Sequence, residues 1–170
     1  MLGRCRAMWS DLLSELSPGF TAVPFAASLA RLLCALVLGG FVGLEREWRE
    51  KSAGLRTHML IASAACLFVI VGQELAVLDF GQDAKRTDPI RLIEAVTAGV
   101  AFLAAGLIFQ HNGRAQNVTT GASMWLAGAI GLACGVGQIP LAALATGITL
   151  LVVGLLGWIE RRVLGDPDDG

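Results

Sequence analysis

At 170 residues the chain has room for one domain, and 55% hydrophobic content with a mean hydropathy of +0.66 is too apolar for an ordinary soluble protein. Charged residues make up only 16% and leave a formal net charge of −1, which lacks the basic footprint of a nucleic-acid binder, so no nucleic-acid partner is expected. The sequence has no nucleophile elbow, Walker loop or HExxH motif, and an enzyme is the least expected class.

Residues 1–24 form an N-terminal segment. Met8, Trp9, Leu12, Leu13 and Leu16 fall on one helical face, opposite Ser10, Asp11, Ser14 and Glu15, before Ser17-Pro18-Gly19 breaks the pattern. This reads as an interfacial helix, with an acidic polar face where a basic one is usual, or equally as a frayed terminus. Asp11 and Glu15 interrupt any signal-peptide core after Arg4 and Arg6, so no cleavage is expected.

From residue 25 to 159 five apolar runs follow: Phe25–Leu44, Thr57–Leu78, Ile90–Phe109, Thr119–Gly137 and Leu141–Ile159. A helix needs roughly 17–25 such residues to cross about 30 Å of hydrocarbon. The fold class expected is therefore all-α, a polytopic membrane protein of five transmembrane helices. A soluble bundle would carry polar stripes at helical period, and these runs carry none.

Span one holds Arg31, whose charge must snorkel or find a partner, and a small-residue ladder of Ala35, Gly39 and Gly43. It leaves the apolar phase through Glu45, Arg46, Glu47 and Arg49, and span two begins at Arg56, Thr57 and His58, so the two form a charged hairpin. Span two ends in Gln73 and Glu74. Asp88-Pro89 supplies an N-cap and a first-turn proline for span three, where Arg91 and Glu94 are placed for a local ion pair.

Gly99 and Gly106 in span three recur at seven residues, as do Gly121, Gly128 and Gly135 in span four and Gly147 and Gly154 in span five. That interval returns to nearly the same helical face, so each helix has a thin seam for close packing. Gln138-Ile139-Pro140 forces an antiparallel link between spans four and five. Residues 160–170 read as an acidic, disordered tail. Cys5, Cys34, Cys66 and Cys134 show no CxxC spacing and are expected to be reduced, with no metal site or cofactor. His58 and His111 belong to no ligand motif, and each is expected at an interface.

Arg46, Arg49, Lys51, Arg56, Arg114, Arg161 and Arg162 gather on one side of the five spans, against Lys85, Arg86 and Arg91 on the other. Arg4 and Arg6 lie too far from span one to weigh much. The expected orientation puts the first hairpin and the C-terminus in the cytoplasm and the N-terminus in the periplasm.

Glu45, Arg46, Arg56, Thr57, His58, Asn117, Thr119 and Thr120 then fall at the cytoplasmic ends of spans one, two and four. They make either a polar pocket or a set of helix-end ties in which Thr57 and Thr119 act as N-caps. Asp88, Arg91 and Glu94 form a second polar motif on the periplasmic side. As a magnesium site the inventory is thin: the cluster's carboxylates stand among basic residues, and no span has an acidic residue at mid-depth.

The motifs GGFVGLERE, AGLRTHML, DPIR, GVAFLAAGLIF and VTTGASMWLAGAIGLACGVG stand in the order found in the MgtC/SapB family of bacterial inner-membrane proteins. The resemblance covers Arg31 to Gly157. Two departures are Ala101 and Ala104 where the family usually has glycine, and Asn117–Ala122 in place of its usual GLTTAA. It is a resemblance to the transmembrane domain alone, without the soluble domain that longer members carry after span five.

The resemblance implies an inner-membrane protein with an outside N-terminus, linked to magnesium homeostasis, virulence and survival within phagocytes. It also implies action on the proton-driven ATP synthase by contact within the membrane. The function expected is non-catalytic, by helix-to-helix contact with membrane partners, with the lipid bilayer and a second copy as further partners. The alternative is a small magnesium or other ion transporter or channel using Arg31, Glu74 or Glu94.

Overall fold

The computed structural model describes residues 22–77, 88–111 and 113–164, with side chains through residue 155. The expected N-terminal helix, the loop bearing Lys85 and Arg86, and the tail from residue 165 lie outside the described residues. Five helices follow in order: α1 (Phe25–Trp48), α2 (Leu55–Val77), α3 (Pro89–Ala105), α4 (Val118–Gly135) and α5 (Ile139–Leu164). Of these, α1, α2 and α4 are long and apolar enough to cross a membrane. With 17 residues, α3 stands at the short end of the range of about 17–25 that spans a bilayer.

The packing is inverted relative to a soluble bundle. Small residues make up much of the interior, where Ala35, Ala62, Cys66, Ala127, Cys134 and Ala142 are fully buried beside a few larger side chains such as Val42, Met124 and Ile130. Large apolar side chains such as Leu33, Phe41, Leu60, Phe102, Leu144 and Leu151 point outward. In lipid no hydrophobic drive pulls those side chains inward, and close backbone approach supplies the cohesion instead.

The glycines show where that approach is closest. A Cβ on Gly39 would stand 2.7 Å from Ala62 Cβ, and one on Gly43 2.7 Å from Leu55 Cα, so α1 lies directly on the first half of α2. On α4, a Cβ at Gly135 would come within 2.6 Å of Val69 Cβ, and one at Gly131 would fall inside the Ala62 carbonyl of α2. Gly121 and Gly128 use a different face of α4, where Ile108 Cδ1 and Val100 Cγ2 would each stand 3.0 Å away. The helix is thus pressed against α2 on one side and takes side chains from α3 and the residues after it on the other.

The expected seams in α3 and α5 need correction. A Cβ on Gly99, Gly147 or Gly154 meets nothing within 4 Å, and one on Gly106 meets only carbonyls of its own last turn. Gly106 is the C-cap of α3, which therefore ends short of the expected Phe109. The chain then forms an antiparallel hairpin, β1 (Phe109–His111) with β2 (Arg114–Gln116), whose Gly113 sits at φ 76°. Both strands are exposed, and no periodicity in the sequence announces them. His111 pairs with Arg114 in this hairpin. At the other end α5 continues past residue 159 to Leu164, through the start of the segment expected to be disordered.

Charged groups complement the helix ends opposite the first hairpin. Glu74 accepts from the N–H groups of Ala22 and Val23 at 3.1 and 3.0 Å, just ahead of the N-terminus of α1. Arg31 donates to Gly135 O at 2.8 Å, at the C-terminus of α4. A carboxylate at a helix start and a cation at a helix end both oppose the helix dipole favourably.

Candidate functional site

The ends of α1 and α5 and the starts of α2 and α4 meet at one end of the bundle. Arg46, one turn beyond Gly43, is carried inward by the glycine contact and is only 2% exposed. Its Nε donates to Glu45 Oε2 at 2.7 Å. Adjacent residues on a helix ordinarily point apart, so Glu45 must fold back to make this pair. The other Glu45 oxygen faces Arg49 Nε as an ion pair, and Arg49 Nη2 donates to Gly154 O of α5 at 3.0 Å. One acidic residue thereby neutralises two guanidinium groups, and the second of these ties α1 to α5.

Glu47 reaches across the hairpin to accept from Leu55 N at 2.7 Å, which caps the start of α2. That is the role Thr57 was expected to play. The turn between them carries Glu50 at φ 53°, and Lys51 N donates back to Arg46 O at 3.1 Å.

His58 is fully buried, a correction to the interfacial position expected for it. Its Nδ1 lies 2.8 Å from Gly54 O, and a carbonyl can only accept, so this nitrogen carries hydrogen. Its Nε2, the acceptor of a neutral ring protonated in this way, lies 3.0 Å from Ser123 Oγ, which also lies 2.8 Å from Thr120 O, so the one hydroxyl hydrogen serves either the imidazole or that carbonyl. This run of contacts joins α2 to α4 through buried polar groups.

The structure divides the sequence-predicted set. Glu45, Arg46 and Thr120 belong to the buried assembly, with His58 beside them. Arg56 and Thr119 are exposed and Thr57 is half-buried, so none of these joins it. Asn117 takes a left-handed conformation at φ 63°, makes no side-chain cap for α4, and instead donates from Nδ2 to Leu107 O at 3.1 Å, closing the base of the β-hairpin. Ser123 and Arg49 were missed as site residues. The signal for Ser123 was its position one turn after Thr120 in an otherwise apolar run.

At the opposite end Asp88 Oδ1 accepts from Ile90 N at 3.0 Å, the cap expected of it. Arg91 pairs with Asp88 at 3.8 Å where Glu94 had been expected, and both partners are exposed. Such a pair contributes little. Among the described residues no three His, Cys, Asp or Glu side chains gather as a metal-binding group.

The model of the MgtC family matches residues 32–162. The chain belongs to the MgtC family. The match runs from within α1 to the far part of α5, so every residue of the buried assembly lies in the MgtC region. Protein MgtC of Brucella abortus is 35% identical over 133 residues, covering 78% of this chain and 52% of the relative. Protein MgtC of Salmonella typhimurium is 34% identical over 135 residues, covering 79% and 54%. The Escherichia coli protein named putative magnesium transporter YhiD is 35% identical over 139 residues, covering 82% and 65%. The chain thus spans about half to two thirds of the length of these MgtC-type relatives. No solved structure gives a significant match. MgtC membership and the apolar helices together make this a membrane protein.

Proposed function

We propose that this is a non-catalytic protein of the bacterial plasma membrane that works through helix contact with membrane-protein partners. The observation that carries this reading is the outward glycine face of α5. Gly147 and Gly154 have open space where a Cβ would stand, and Leu144, Ile148 and Leu151 around them are exposed. A groove of this kind lets another helix approach closely, which is how helices associate in lipid. Glu45, Arg46 and Arg49 are meanwhile paired with one another and His58 with its neighbours, so the assembly at the end of α1 serves to set the helix arrangement that presents this face. The membrane sector of the ATP synthase is the partner the resemblance implies, and a second copy of the chain is the other.

The test places a photo-crosslinking residue at Leu151 in native membranes, with and without Gly147→Leu. Gly147→Leu should leave folded yield unchanged, since nothing crowds that position, and should abolish the crosslinked partner band. Persistence of the band in that variant would refute contact through α5. The name of the Escherichia coli relative supports a transport reading, and saturable magnesium or proton flux in liposomes holding the purified chain would establish it over the contact one.

The excess of Arg and Lys at the first hairpin supports a cytoplasmic position for the buried assembly and a periplasmic start for α1. A reporter fused after Arg162 should then be active only in its cytoplasmic form. Periplasmic activity would reverse the orientation.

A further inference from the structure

Away from the polar assembly, α3 leans on α4 and scarcely meets α2. Val100 fills the space beside Gly128 and Leu92 rests on Gly72, where a Cβ would stand 2.9 Å from Leu92 Cδ2, but beside them the small residues Ala76 and Ala133 leave room. The result is a groove of about 530 Å³ between α2, α3 and α4, floored by Val69, Leu132 and Val136 and reaching Pro89 at the end of the bundle. Its walls are apolar except for Gln73. Its volume lies within the roughly 300–1,000 Å³ of ordinary ligand sites.

Gln73 is not neutral decoration. Arg31 Nη1 donates to Gln73 Oε1 at 3.0 Å, and because a guanidinium only donates, the glutamine oxygen must face it. The Gln73 amide nitrogen is then left as a donor, and among the described residues nothing accepts from it. The same contact sets the Arg31 cation directly behind the groove wall. Arg31 has no carboxylate within ion-pair distance among the described residues, its acceptors being Gln73 and the carbonyl of Gly135. Arg91, in the same first turn of α3 as the lining residues Pro89 and Leu92, is 85% exposed and held only loosely by Asp88.

We propose that the groove between α2, α3 and α4 is a binding site for an anionic phospholipid. One acyl chain would lie along Val69, Leu92 and Leu132, and the headgroup phosphate would meet the Gln73 amide and Arg91, with Arg31 adding its field. Charge complementarity selects this occupant: a zwitterionic lipid could fill the apolar part but would gain less at the mouth. Cations between or beside transmembrane helices recognise lipid phosphates in this manner.

The experiment is native mass spectrometry of the purified chain titrated with phosphatidylglycerol or phosphatidylcholine of matched acyl length. Wild type should retain phosphatidylglycerol preferentially. Arg91→Gln should reduce that preference about fivefold, the worth of one cation near a lipid surface, and Gln73→Leu should reduce it further. Arg31 also holds the end of α4, so Arg31→Gln is not the diagnostic variant. Ala76→Phe, which fills the groove from an exposed edge of α2, should remove retention of both lipids while the chain stays folded by circular dichroism. Equal retention of the two lipids by wild type would overturn the proposal. So would a preference unchanged in Arg91→Gln and Gln73→Leu, or retention unchanged in a folded Ala76→Phe.

Discussion

Gly131→Ala should cost this protein its native fold or most of its folded yield, although the change adds a single methyl group to an apolar helix. The atoms that methyl would meet are the backbone of α2: the Ala62 carbonyl oxygen overlaps its position, and Ala62 Cα stands 2.9 Å from it. A flexible side chain could swing away, but a backbone carbonyl bonded within its own helix cannot. The two helices must separate along their whole contact, which also loosens Gly39 of α1 where it rests on Ala62 Cβ. Overpacking of a filled core costs about 1–3 kcal/mol, occasionally more, and the backbone obstruction puts this case at the upper end. The measurement is the detergent-solubilised melting midpoint followed by size-exclusion fluorescence. Gly128→Ala is the comparison, since its obstruction is the Val100 side chain, and Gly147→Ala is the control with nothing nearby. A Gly131→Ala midpoint equal to that of Gly147→Ala would show that α2 and α4 do not lie this close.

This contrast marks where the sequence could be read and where it could not. The apolar runs located all five helices, because crossing hydrocarbon demands length and hydropathy, and both are visible one residue at a time. The seven-residue glycine interval in α4 showed that a seam exists, and Gly121 and Gly128 do share a face. It could not show that Gly131 and Gly135, four apart on another face, make the tighter contact. Both faces of α4 are glycine-bearing, and which neighbour each meets depends on the tertiary arrangement. The same interval in α5 leads nowhere within the chain.

The polar site was half legible for a related reason. Glu45 and Arg46 stood out as charges at the tip of an apolar run, but a tip residue can face headgroups or the interior with equal ease in a sequence. Arg56 and Arg46 look alike in that respect. Only the glycine contact of α1 with α2 decides that Arg46 turns in, and Arg56, in the first turn of α2, remains outside. A lone histidine near a helix start usually faces water, whereas His58 is enclosed with the Gly54 carbonyl and Ser123 Oγ beside its two ring nitrogens. The β-hairpin was missed because its strands are too short and too exposed to impose an alternating pattern.

Arg46→Ala is expected to be the most damaging change at the polar end. Arg46 is almost wholly buried, and its loss removes a cation that neutralises Glu45 while leaving that carboxylate largely enclosed. Removing one partner of a buried pair typically costs about 3–5 kcal/mol, because the remaining charge is stranded in a medium that solvates it poorly. Arg49 still faces Glu45, and it can offset part of the loss. The expected cost therefore lies at the low end of that range. Removing both charges together separates the cost of a stranded carboxylate from the worth of the pair itself. The double variant Glu45→Gln with Arg46→Met should recover most of the stability lost in Arg46→Ala, because neither charge then has to be desolvated. Arg49 would lose its own carboxylate in that variant but keep the bond to Gly154 O, and it is exposed enough to reach water. Thermal midpoints of the single, double and wild-type chains in the same detergent decide the matter. If the double variant melts no higher than Arg46→Ala, Arg46 stabilises the fold through its packing between α1 and its neighbours, and the charge it brings is incidental.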